Sequence, residues 1–501
     1  MKRNLSAVLA LIIVFAALAL AATSCSGGSD PDTQVKQTTD AQIAETEETT
    51  TAPELVIVPQ DFGGMDFTFF GVETHGKDWV VNTYSEALAE SENGDPINDA
   101  LFRRTIEIEE AFNIVIKAVG VERTKVGGEA LKVILAGDNA YQAINLQGYS
   151  AKTVLNSYNS LYNLYDIDTI DLSHSWWDKN SIDSFTVGGK LFNVVGDMNI
   201  RSFFSSTGFM FSKQMIEDYN LESPFKLIDD GVWTIDKLIE QCEAVTHDVN
   251  GDGHVGYEDT AGLFGEAISL LWGLNAFGEQ IVTNVNGTPE ITLNNERVIT
   301  GIEKYVTLLR SNTHSIWAAD VPKSFSGENI FRTKMLPMLM ENRLLYYSGT
   351  LVGTLDLRSM ESDFGIIPKP KFDESQDGYY SSTHPQYLSF TTIPVTNPDP
   401  EGTGTILEAM HFLSQKYVFP AIYDTTIINK VIRDEETGRM LDIIRFNRVY
   451  DIGYIFDWGG ASSFITAFSN NNNTNFASSY ASVEPKIQAA IDSYLEIYSE
   501  E

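Results

Sequence analysis

The sequence has 501 residues, of which 34 are Lys or Arg and 69 are Asp or Glu, so its formal net charge at pH 7 is −35. A chain this acidic is repelled by DNA and RNA, which excludes nucleic-acid binding. Because it has only two cysteines, no disulfide framework is available and a hydrophobic core must hold the fold together.

Residues 1–24 are predicted to be a secretory signal. Lys2 and Arg3 precede an almost uninterrupted apolar run from Leu5 to Ala22, which is typical of a signal removed after export. Small residues then lead to Cys25, and this arrangement resembles the lipobox of bacterial lipoproteins. The resemblance implies that the Cys25 thiol carries a lipid anchor. Two alternatives stay open: a secreted protein without lipid, and an uncleaved anchor helix.

Residues 25–54 are rich in Thr, Glu, Asp and Gln and poor in large apolar side chains. Such a composition buries too little surface to fold, so we predict a flexible tether. Its random-coil reach is on the order of 30 Å, enough to lift a domain off a membrane surface. The remainder, from Leu55 onward, looks globular and is too long for one hydrophobic core, which predicts two or more lobes.

The first globular part alternates between strand and helix patterns. Strands are predicted at MDFTFFGV (65–72), VIKAVGV (115–121) and YQAINL (141–146), and helices at 97–114 and 127–137. These predictions rest on alternating apolar residues in the strands and helical spacing in the helices. The resulting βαβαβ order favours a mostly parallel sheet with helices on both faces.

Strand and helix patterns continue to the end of the chain. We predict a strand followed by a helix within 206–221, short strands within 341–349 and 364–371, and helices within 233–247, 404–416 and 483–499. The sequence shows no internal repeat. Cys242, inside the helix predicted at 233–247, is expected to be a small buried hydrophobic residue.

The segment HDVNGDGHVGYEDTAG (247–262) has the spacing of a twelve-residue calcium loop, with a glycine at its tight turn. The predicted ligands are Asp248, Asn250, Asp252, the backbone carbonyl of His254, and Asp259. Ca²⁺ takes about six to eight oxygen ligands, which such a loop can supply. The sequence holds one copy of this loop, so we predict a structural Ca²⁺ that fixes the connection between a helix and a strand. The alternative is a metal-free turn rich in Asp, Asn and Gly.

The common catalytic motifs are absent from the sequence. It contains no G-x-S-x-G, H-E-x-x-H, C-x-x-C or G-x-x-x-x-G-K-[ST] pattern, which argues against the chemistries that depend on them. The many acidic residues leave open a carboxylate pair of the kind that hydrolyses glycosides. We predict that the protein is not an enzyme, with an exported carbohydrate-active hydrolase as the alternative.

Several weak motifs in a fixed order resemble one protein family. They are WWDKNSIDSFTVGGKLFNVVGDMN (176–199), STGFMFSKQMIEDYNL (206–221), GVWTIDKLIEQCEAVTHDVNGDGHVGYEDTAGLFG (231–265) and DFGIIPKPKFDESQDGYYS (363–381). In this order they resemble the bacterial extracellular solute-binding proteins of family 1, many of which have a calcium loop in the same region. The resemblance spans nearly the whole chain after the predicted signal.

The resemblance implies an α/β fold of the periplasmic-binding-protein type II kind, with two lobes joined by a hinge. The implied lobes are 55–200 (first lobe), 201–362 (second lobe, containing the calcium loop), 363–420 (return to the first lobe) and 421–501 (second lobe or C-terminal part). It further implies a monomer on the outer face of the cell membrane. That monomer captures a small solute, an oligosaccharide, and delivers it to the permease subunits of an ATP-binding-cassette (ABC) importer.

Sugar-binding clefts stack sugar rings on Trp and Tyr and bind the hydroxyl groups with carboxylates and amides. The predicted ligand-binding residues are Trp79, Trp177, Asp178, Asp197, Trp272, Tyr347, Tyr379, Tyr380 and Trp458. For each aromatic residue, packing in the core is the alternative. Acidic residues would suit a cation equally well, so a peptide or amine ligand stays open, as does a surface adhesion module that uses the calcium loop directly.

Overall fold

The computed structural model describes residues 57–74, 85–157, 159–357, 363–428 and 435–499. The predictions for the signal, Cys25, the tether and Trp79 concern residues outside these ranges. The strands are β1 (Met65–Thr74), β2 (Ile114–Glu122), β3 (Ala143–Gln147), β4 (Thr207–Ser212), β5 (Ala261–Gly265), β6 (Val282–Val285), β7 (Thr288–Ile291), β8 (Ser315–Trp317), β9 (Leu344–Thr350), β10 (Phe364–Ile367), β11 (Ser381–Ser382), β12 (Ser389–Thr392) and β13 (Arg448–Val449).

Helices connect and cover these strands. They are α1 (Pro96–Phe112), α2 (Val126–Leu135), α3 (Gly148–Leu155), α4 (Lys179–Phe185), α5 (Ile200–Phe204), α6 (Lys213–Asp218), α7 (Pro224–Asp229), α8 (Ile235–Val245), α9 (Ala267–Ala276), α10 (Glu296–Arg310), α11 (Leu336–Met340), α12 (Gly353–Leu357), α13 (Pro400–Leu413), α14 (Phe419–Ile428), α15 (Glu435–Phe446), α16 (Ile452–Ile455), α17 (Ala461–Asn470), α18 (Phe476–Tyr480) and α19 (Glu484–Ser499).

The first lobe is built on a sheet of order β12-β3-β1-β2. β1 lies parallel to β2 and β3, as the βαβαβ pattern predicts, whereas β12 pairs antiparallel with β3. α1 begins where the Asp95 carboxylate accepts hydrogen bonds from two backbone N–H groups and Pro96 sets the first helical position. It ends at Asn113, which adopts left-handed backbone geometry with φ 46°.

The second lobe is built on a sheet of order β10-β4-β9-β5-β8. β5 lies parallel to β8 and β9, and β4 lies antiparallel to β9 and β10. α8 packs on β5, where a Cβ at Gly262 would lie 2.3 Å from the Cα of Cys242. Glycine therefore permits this close approach, and the Cys242 side chain is fully buried, as predicted.

Two stretches of chain connect the sheets. The chain leaves the first sheet through α5, and it comes back through residues 368–388, here called the return segment, which contains β11. β10 belongs to the second sheet, although it begins just past the predicted boundary at 362. β13 pairs in parallel with β11, so the last part of the chain contacts the return segment. This two-lobed α/β fold confirms the predicted fold class.

The helices after β12 pack on both lobes. α13 contacts α1 in the first lobe, whereas α15 contacts β10 and α17 contacts α9 in the second lobe. At the far end, the backbone carbonyl of Tyr498 in α19 accepts a hydrogen bond from Lys190 Nζ at 3.2 Å. The C-terminal helices thus bridge the lobes rather than extend one sheet.

Candidate functional site

A cavity of about 360 Å³ opens where the second sheet meets the return segment. We call it the central pocket. Its walls include Glu266, Trp272, Arg332, Tyr347, Asp356, His384 and Tyr387. Its volume falls within the range of small-molecule binding pockets, which is about 300 to 1,000 Å³.

The sheet topology explains why these side chains meet. β5 and β9 are parallel neighbours, and their register pairs Phe264 with Tyr347. Glu266 directly follows the last residue of β5. Because the carboxyl ends of parallel strands share one edge of a sheet, Glu266 and Tyr347 face the same cavity, the usual ligand position in open α/β sheets. A Cβ at Gly349 would lie 2.5 Å from the Tyr347 ring, so glycine at this position leaves the space that the ring occupies.

Aromatic side chains form one wall of the central pocket. The Trp272 ring meets the His384 ring edge-on at 5.5 Å between centroids, and its indole N–H donates to the Tyr454 hydroxyl at 3.4 Å. Tyr149, from the first lobe, also contacts His384 edge-on at 6.1 Å. Burial, assisted by the charge of Arg123, lowers the pKa of His384 to about 3, so its imidazole is neutral at physiological pH.

The charged groups of the central pocket are mostly paired. Asp356 accepts two hydrogen bonds from the Arg332 guanidinium, at 2.6 and 3.1 Å. Glu328 accepts from the Thr333 hydroxyl at 2.7 Å and from the Ser324 backbone N–H. Of the acidic groups in the pocket wall, Glu266 is the one whose side chain has no hydrogen-bond partner among the described residues. Burial raises its pKa to about 8.

A second cavity, of about 230 Å³, lies at the carboxyl ends of β1 and β2 in the first lobe. Glu86 lies in its wall, where one of its oxygens accepts from the Arg201 backbone N–H at 3.0 Å and from the Ser389 hydroxyl at 2.6 Å. Arg201 belongs to α5 and Ser389 to β12, so this carboxylate joins α5 to the strand that follows the return segment. Burial raises the pKa of Glu86, against the opposing charge of Arg201.

The structure brings two of the predicted ligand-binding residues together, because Trp272 and Tyr347 both line the central pocket. Three others bind protein partners instead. The Trp177 indole donates to Glu408 at 2.8 Å, and Asp178 pairs with Arg448 at 2.5 Å. The carboxylate of Asp197 pairs with Arg445 at 2.7 Å.

The remaining predicted aromatic residues of the described ranges lie outside the walls of the central pocket. The Lys371 ammonium lies 5.1 Å from the centre of the Tyr379 ring, and the Tyr380 hydroxyl donates to Asp377 at 2.7 Å. Tyr380 also lines a separate cavity of about 260 Å³. Trp458 is buried against Tyr494, with 5.1 Å between ring centroids.

Sequence reasoning missed Glu266, Arg332, Asp356, His384 and Tyr387. The position of Glu266, one residue after a strand of a parallel pair, is a signal that could have identified it. His384 and Tyr387 lie in the return segment, where no sequence motif marks them. Their place in the pocket follows from the pairing of β11 with β13 and from the bridge between Ser206 and Thr383.

The predicted calcium loop connects α8 to β5 and is held by its own side chains. Asp248 accepts from the backbone N–H groups of Gly251 and Gly253, both at 2.7 Å. Asp259 is buried and accepts from three further backbone N–H groups of the loop, at 2.7 to 3.2 Å. These oxygens keep unused lone pairs, which is compatible with a hard cation. Across the described ranges, however, no three His, Cys, Asp or Glu side chains cluster as a metal site, so Ca²⁺ would also need Asn250 and backbone oxygens.

Solved structures that resemble this chain in fold include an ABC substrate-binding protein and a sugar-binding protein. UgpB from Mycobacterium tuberculosis, in complex with glycerophosphocholine, has a TM-score of 0.55 at 15% identity, covering 86% of this chain and 99% of its own. The ABC substrate-binding protein Lmo0181 from Listeria monocytogenes, in complex with cycloalternan, gives 0.51 at 13%, covering 87% and 98%. The cyclic α-maltosyl-1,6-maltose binding protein from Arthrobacter globiformis also gives 0.51 at 13%, covering 87% and 99%.

These similarities concern the fold, because the sequence identities are low. No protein-family model matches the chain, and no curated protein matches it. The neighbours are binding proteins rather than enzymes, and two of those named were solved with a bound ligand. Among the helices of the described ranges, none has both the length and the apolar composition needed to cross a membrane.

Proposed function

We propose that this protein is an extracellular solute receptor that binds an oligosaccharide in the central pocket and delivers it to an ABC importer. The observation that carries the proposal is an aromatic-walled cavity at the crossing between the lobes of a substrate-binding-protein fold. Flat rings such as Trp272 and Tyr347 can stack on the apolar faces of sugar rings. Polar groups in the same walls, including Arg332 and Asp356, can bind the hydroxyl groups.

Closure of the lobes around the solute is the proposed mechanism. The central pocket takes its walls from the second lobe and the return segment, and Tyr149 of the first lobe faces it across His384. A ligand that touches both sides gains contacts in the closed state that it lacks in the open state, so binding shifts the population toward closure. The permease subunits would then recognise the closed form.

Membrane attachment is part of the proposal and rests on the sequence. Cys25 would carry the lipid, and residues 25–54 would give the binding domain its reach. A labelled fatty acid fed to a culture that exports the protein should be incorporated into it, and replacing Cys25 by Ser should abolish that incorporation. Membrane attachment of the wild-type protein without any label would instead support the uncleaved anchor helix.

The residues of the central pocket support a hydrolase less well than a solute receptor. A carboxylate pair needs one group to donate a proton and a second to act as base or nucleophile. Both oxygens of Asp356 accept from Arg332, and both oxygens of Glu328 accept from neighbours in its own loop. Glu266 then has no free carboxylate partner among the described walls of the pocket.

A thermal-shift screen tests the proposed function. The full-length protein in detergent is heated with calcium and with each member of a panel of oligosaccharides, with peptides and polyamines as controls. A ligand at about 100 times its Kd adds about 2.7 kcal/mol to the stability, which is a shift of a few degrees. Stabilisation by a glycan that is lost in Trp272→Ala and kept in Tyr380→Phe supports the proposal. Stabilisation by peptides alone contradicts the oligosaccharide.

A further inference from the structure

Glu266 is a carboxyl group without a partner in the wall of the central pocket. It occupies the position before α9, yet its side chain does not cap that helix. Its side-chain oxygens make no hydrogen bond or ion pair with any described residue, and only burial displaces its pKa, which rises to about 8. The remaining acidic groups of the pocket, Glu328 and Asp356, are already bound to protein donors.

The cations near this pocket do not neutralise Glu266, because burial alone shifts its pKa and no positive charge opposes that shift. Lys323, in the wall of the pocket, is exposed to solvent. The Arg332 guanidinium is engaged by Asp356, and the buried Lys369 ammonium, behind Trp272, donates to the Ser348 hydroxyl at 2.7 Å. Arg123, which belongs to the first lobe, acts on His384 through its charge. The pocket therefore presents one uncompensated carboxyl group next to the rings of Trp272 and Tyr347.

An ionised carboxylate in such a place is poorly solvated, which is why its protonated form is favoured. A ligand with a positive charge reverses this preference, because it pairs with the carboxylate and lies against the negative faces of the aromatic rings. A neutral sugar can donate hydrogen bonds to the same group but supplies no opposite charge. The arrangement thus selects for a cationic group on the bound solute.

We propose that the solute of the central pocket is a sugar bearing a protonated amine, an amino sugar, and that Glu266 is the counter-ion of that amine. The inference rests on the proposed function, since it refines the class of sugar bound at the same site. Trp272 and Tyr347 would stack on the sugar ring while Glu266 binds its ammonium group.

Binding of such a sugar is coupled to the release of a proton. Below its raised pKa, Glu266 is protonated in the free protein, and it must lose that proton to pair with the ammonium group. The other ionisable or charged groups in the walls of the pocket are Lys323, Glu328, Arg332, Tyr347, Asp356, His384 and Tyr387, and the charge of Arg123, from the first lobe, acts on His384. Burial raises the pKa of both tyrosines and lowers that of His384 to about 3, and hydrogen bonding lowers that of Glu328. None of these four changes its charge in weakly acidic solution.

Isothermal titration calorimetry of the full-length protein in detergent tests the proposal with matched sugars. Glucosamine, galactosamine and the β-1,4-linked glucosamine disaccharide are compared with glucose, galactose and cellobiose, which carry hydroxyl groups in place of the amines. The amino sugar should bind roughly tenfold or more tightly than its neutral counterpart. Its affinity should rise roughly tenfold from about pH 5.5 to about pH 6.5. Titrations in buffers of different ionisation enthalpy should show about one proton released per amino sugar bound and none per neutral sugar.

Glu266→Gln should remove the preference for the amine and the proton release while keeping the affinity for the neutral sugar. Glu290→Gln, the same change at an exposed position in β7, should leave both unchanged. Equal binding of the paired sugars by the wild-type protein, without proton release, would overturn the inference and leave the proposed function standing. Failure of every sugar in both this titration and the thermal-shift screen would overturn the proposed function itself, and the inference with it. The wild-type proton count keeps the test decisive even if Glu266→Gln fails to fold.

Discussion

Lys369 shows how single residues behind the central pocket set the stability of the fold. It lies in the return segment, fully buried, with its ammonium 4.2 Å from the centre of the Phe209 ring and 5.6 Å from that of Trp272. Its hydrogen-bond acceptor is the Ser348 hydroxyl. Because this environment solvates an ammonium poorly, burial lowers the pKa of Lys369 from 10.5 to about 7.

The lowered pKa predicts a pH-dependent stability. Between about pH 7 and about pH 10 the unfolded chain binds the Lys369 proton and the folded chain does not, so this residue makes the fold more stable as the pH rises. At about pH 6 both states bind the proton, and the fold bears the full cost of a buried charge. Lys369→Met should therefore raise the unfolding free energy by roughly 1–4 kcal/mol at about pH 6.

Calorimetric melting of the variant and the wild-type protein checks this prediction. The advantage of Lys369→Met should shrink steadily as the pH approaches about 10. Lys179→Met is the matched control, because the Lys179 side chain is 81% exposed and its replacement should change the stability little at either pH. An advantage that stays the same from acid to alkaline pH would contradict the prediction.

The contacts of individual residues also explain which parts of the site could be predicted from the sequence. Trp272 and Tyr347 were predicted because they are aromatic, and they do line the pocket. Trp177 has the same chemistry, yet its indole N–H donates to Glu408, which is 231 residues away along the chain. A single sequence does not reveal whether the polar group of an aromatic side chain has a buried hydrogen-bond partner far away along the chain. Such partners, more than residue type, decide whether a side chain remains free for a ligand.

At the scale of elements, an ion pair connects α15 to the end of the first lobe. Arg445, in the last turn of α15, binds Asp197 at 2.7 Å, and their side chains are 10% and 6% exposed. Gln415 also donates to Asp197, at 3.0 Å. Burial raises the pKa of Asp197, and the charge of Arg445 opposes this rise. Since α15 packs on β10 of the second lobe, the pair joins the lobes near the hinge.

Breaking this pair from one side should be costly. Asp197→Asn or Arg445→Gln leaves a buried charge without its partner, which costs about 3–5 kcal/mol. The double variant leaves neither charge, so its loss of stability should be smaller than the sum of the two single losses. Denaturant unfolding of the four proteins gives the coupling energy directly. Strictly additive losses would show that Asp197 and Arg445 do not act as a pair.

The calcium prediction also concerns a single element, the loop between α8 and β5. Asp248 and Asp259 already bind its backbone N–H groups, so a cation would tighten a loop that is partly ordered by its own hydrogen bonds. Calcium should raise the melting temperature of the wild-type protein, and a chelator should reverse the increase. Asp248→Ala should abolish that increase and leave the affinity for the solute roughly unchanged. A stable Asp248→Ala protein that loses its ligand would instead connect the loop to the binding site.

At the scale of the whole molecule, local patterns predicted the elements better than their assembly. The alternating run in β1 and the helical spacing in α1 identified both elements, because these periodicities report which face is buried. β10 was recognised as a strand, but its place in the second sheet depends on pairing with β4, more than 150 residues earlier in the chain. The antiparallel addition of β12 to β3 is another long-range pairing that local periodicity does not reveal.

The global prediction is that the lobes close when the solute binds. α5 contacts the first residue of β12, directly after the return segment, where the Ser202 hydroxyl donates to the Ser389 carbonyl at 2.7 Å. In the described part of the chain, the covalent connections between the two sheets are limited to the stretch that contains α5 and to the return segment. Such a hinge lets the sheets move as units, with the central pocket beside it.

A glycan that stabilises the protein should therefore reduce its radius of gyration in small-angle X-ray scattering. Trp272→Ala, which removes a wall of the pocket, should keep the larger radius at the same glycan concentration, whereas Tyr380→Phe should contract like the wild-type protein. A glycan that binds tightly without changing the radius of gyration would mean that the lobes are already closed before the solute binds. Capture of the solute would then depend on access to the pocket rather than on hinge motion.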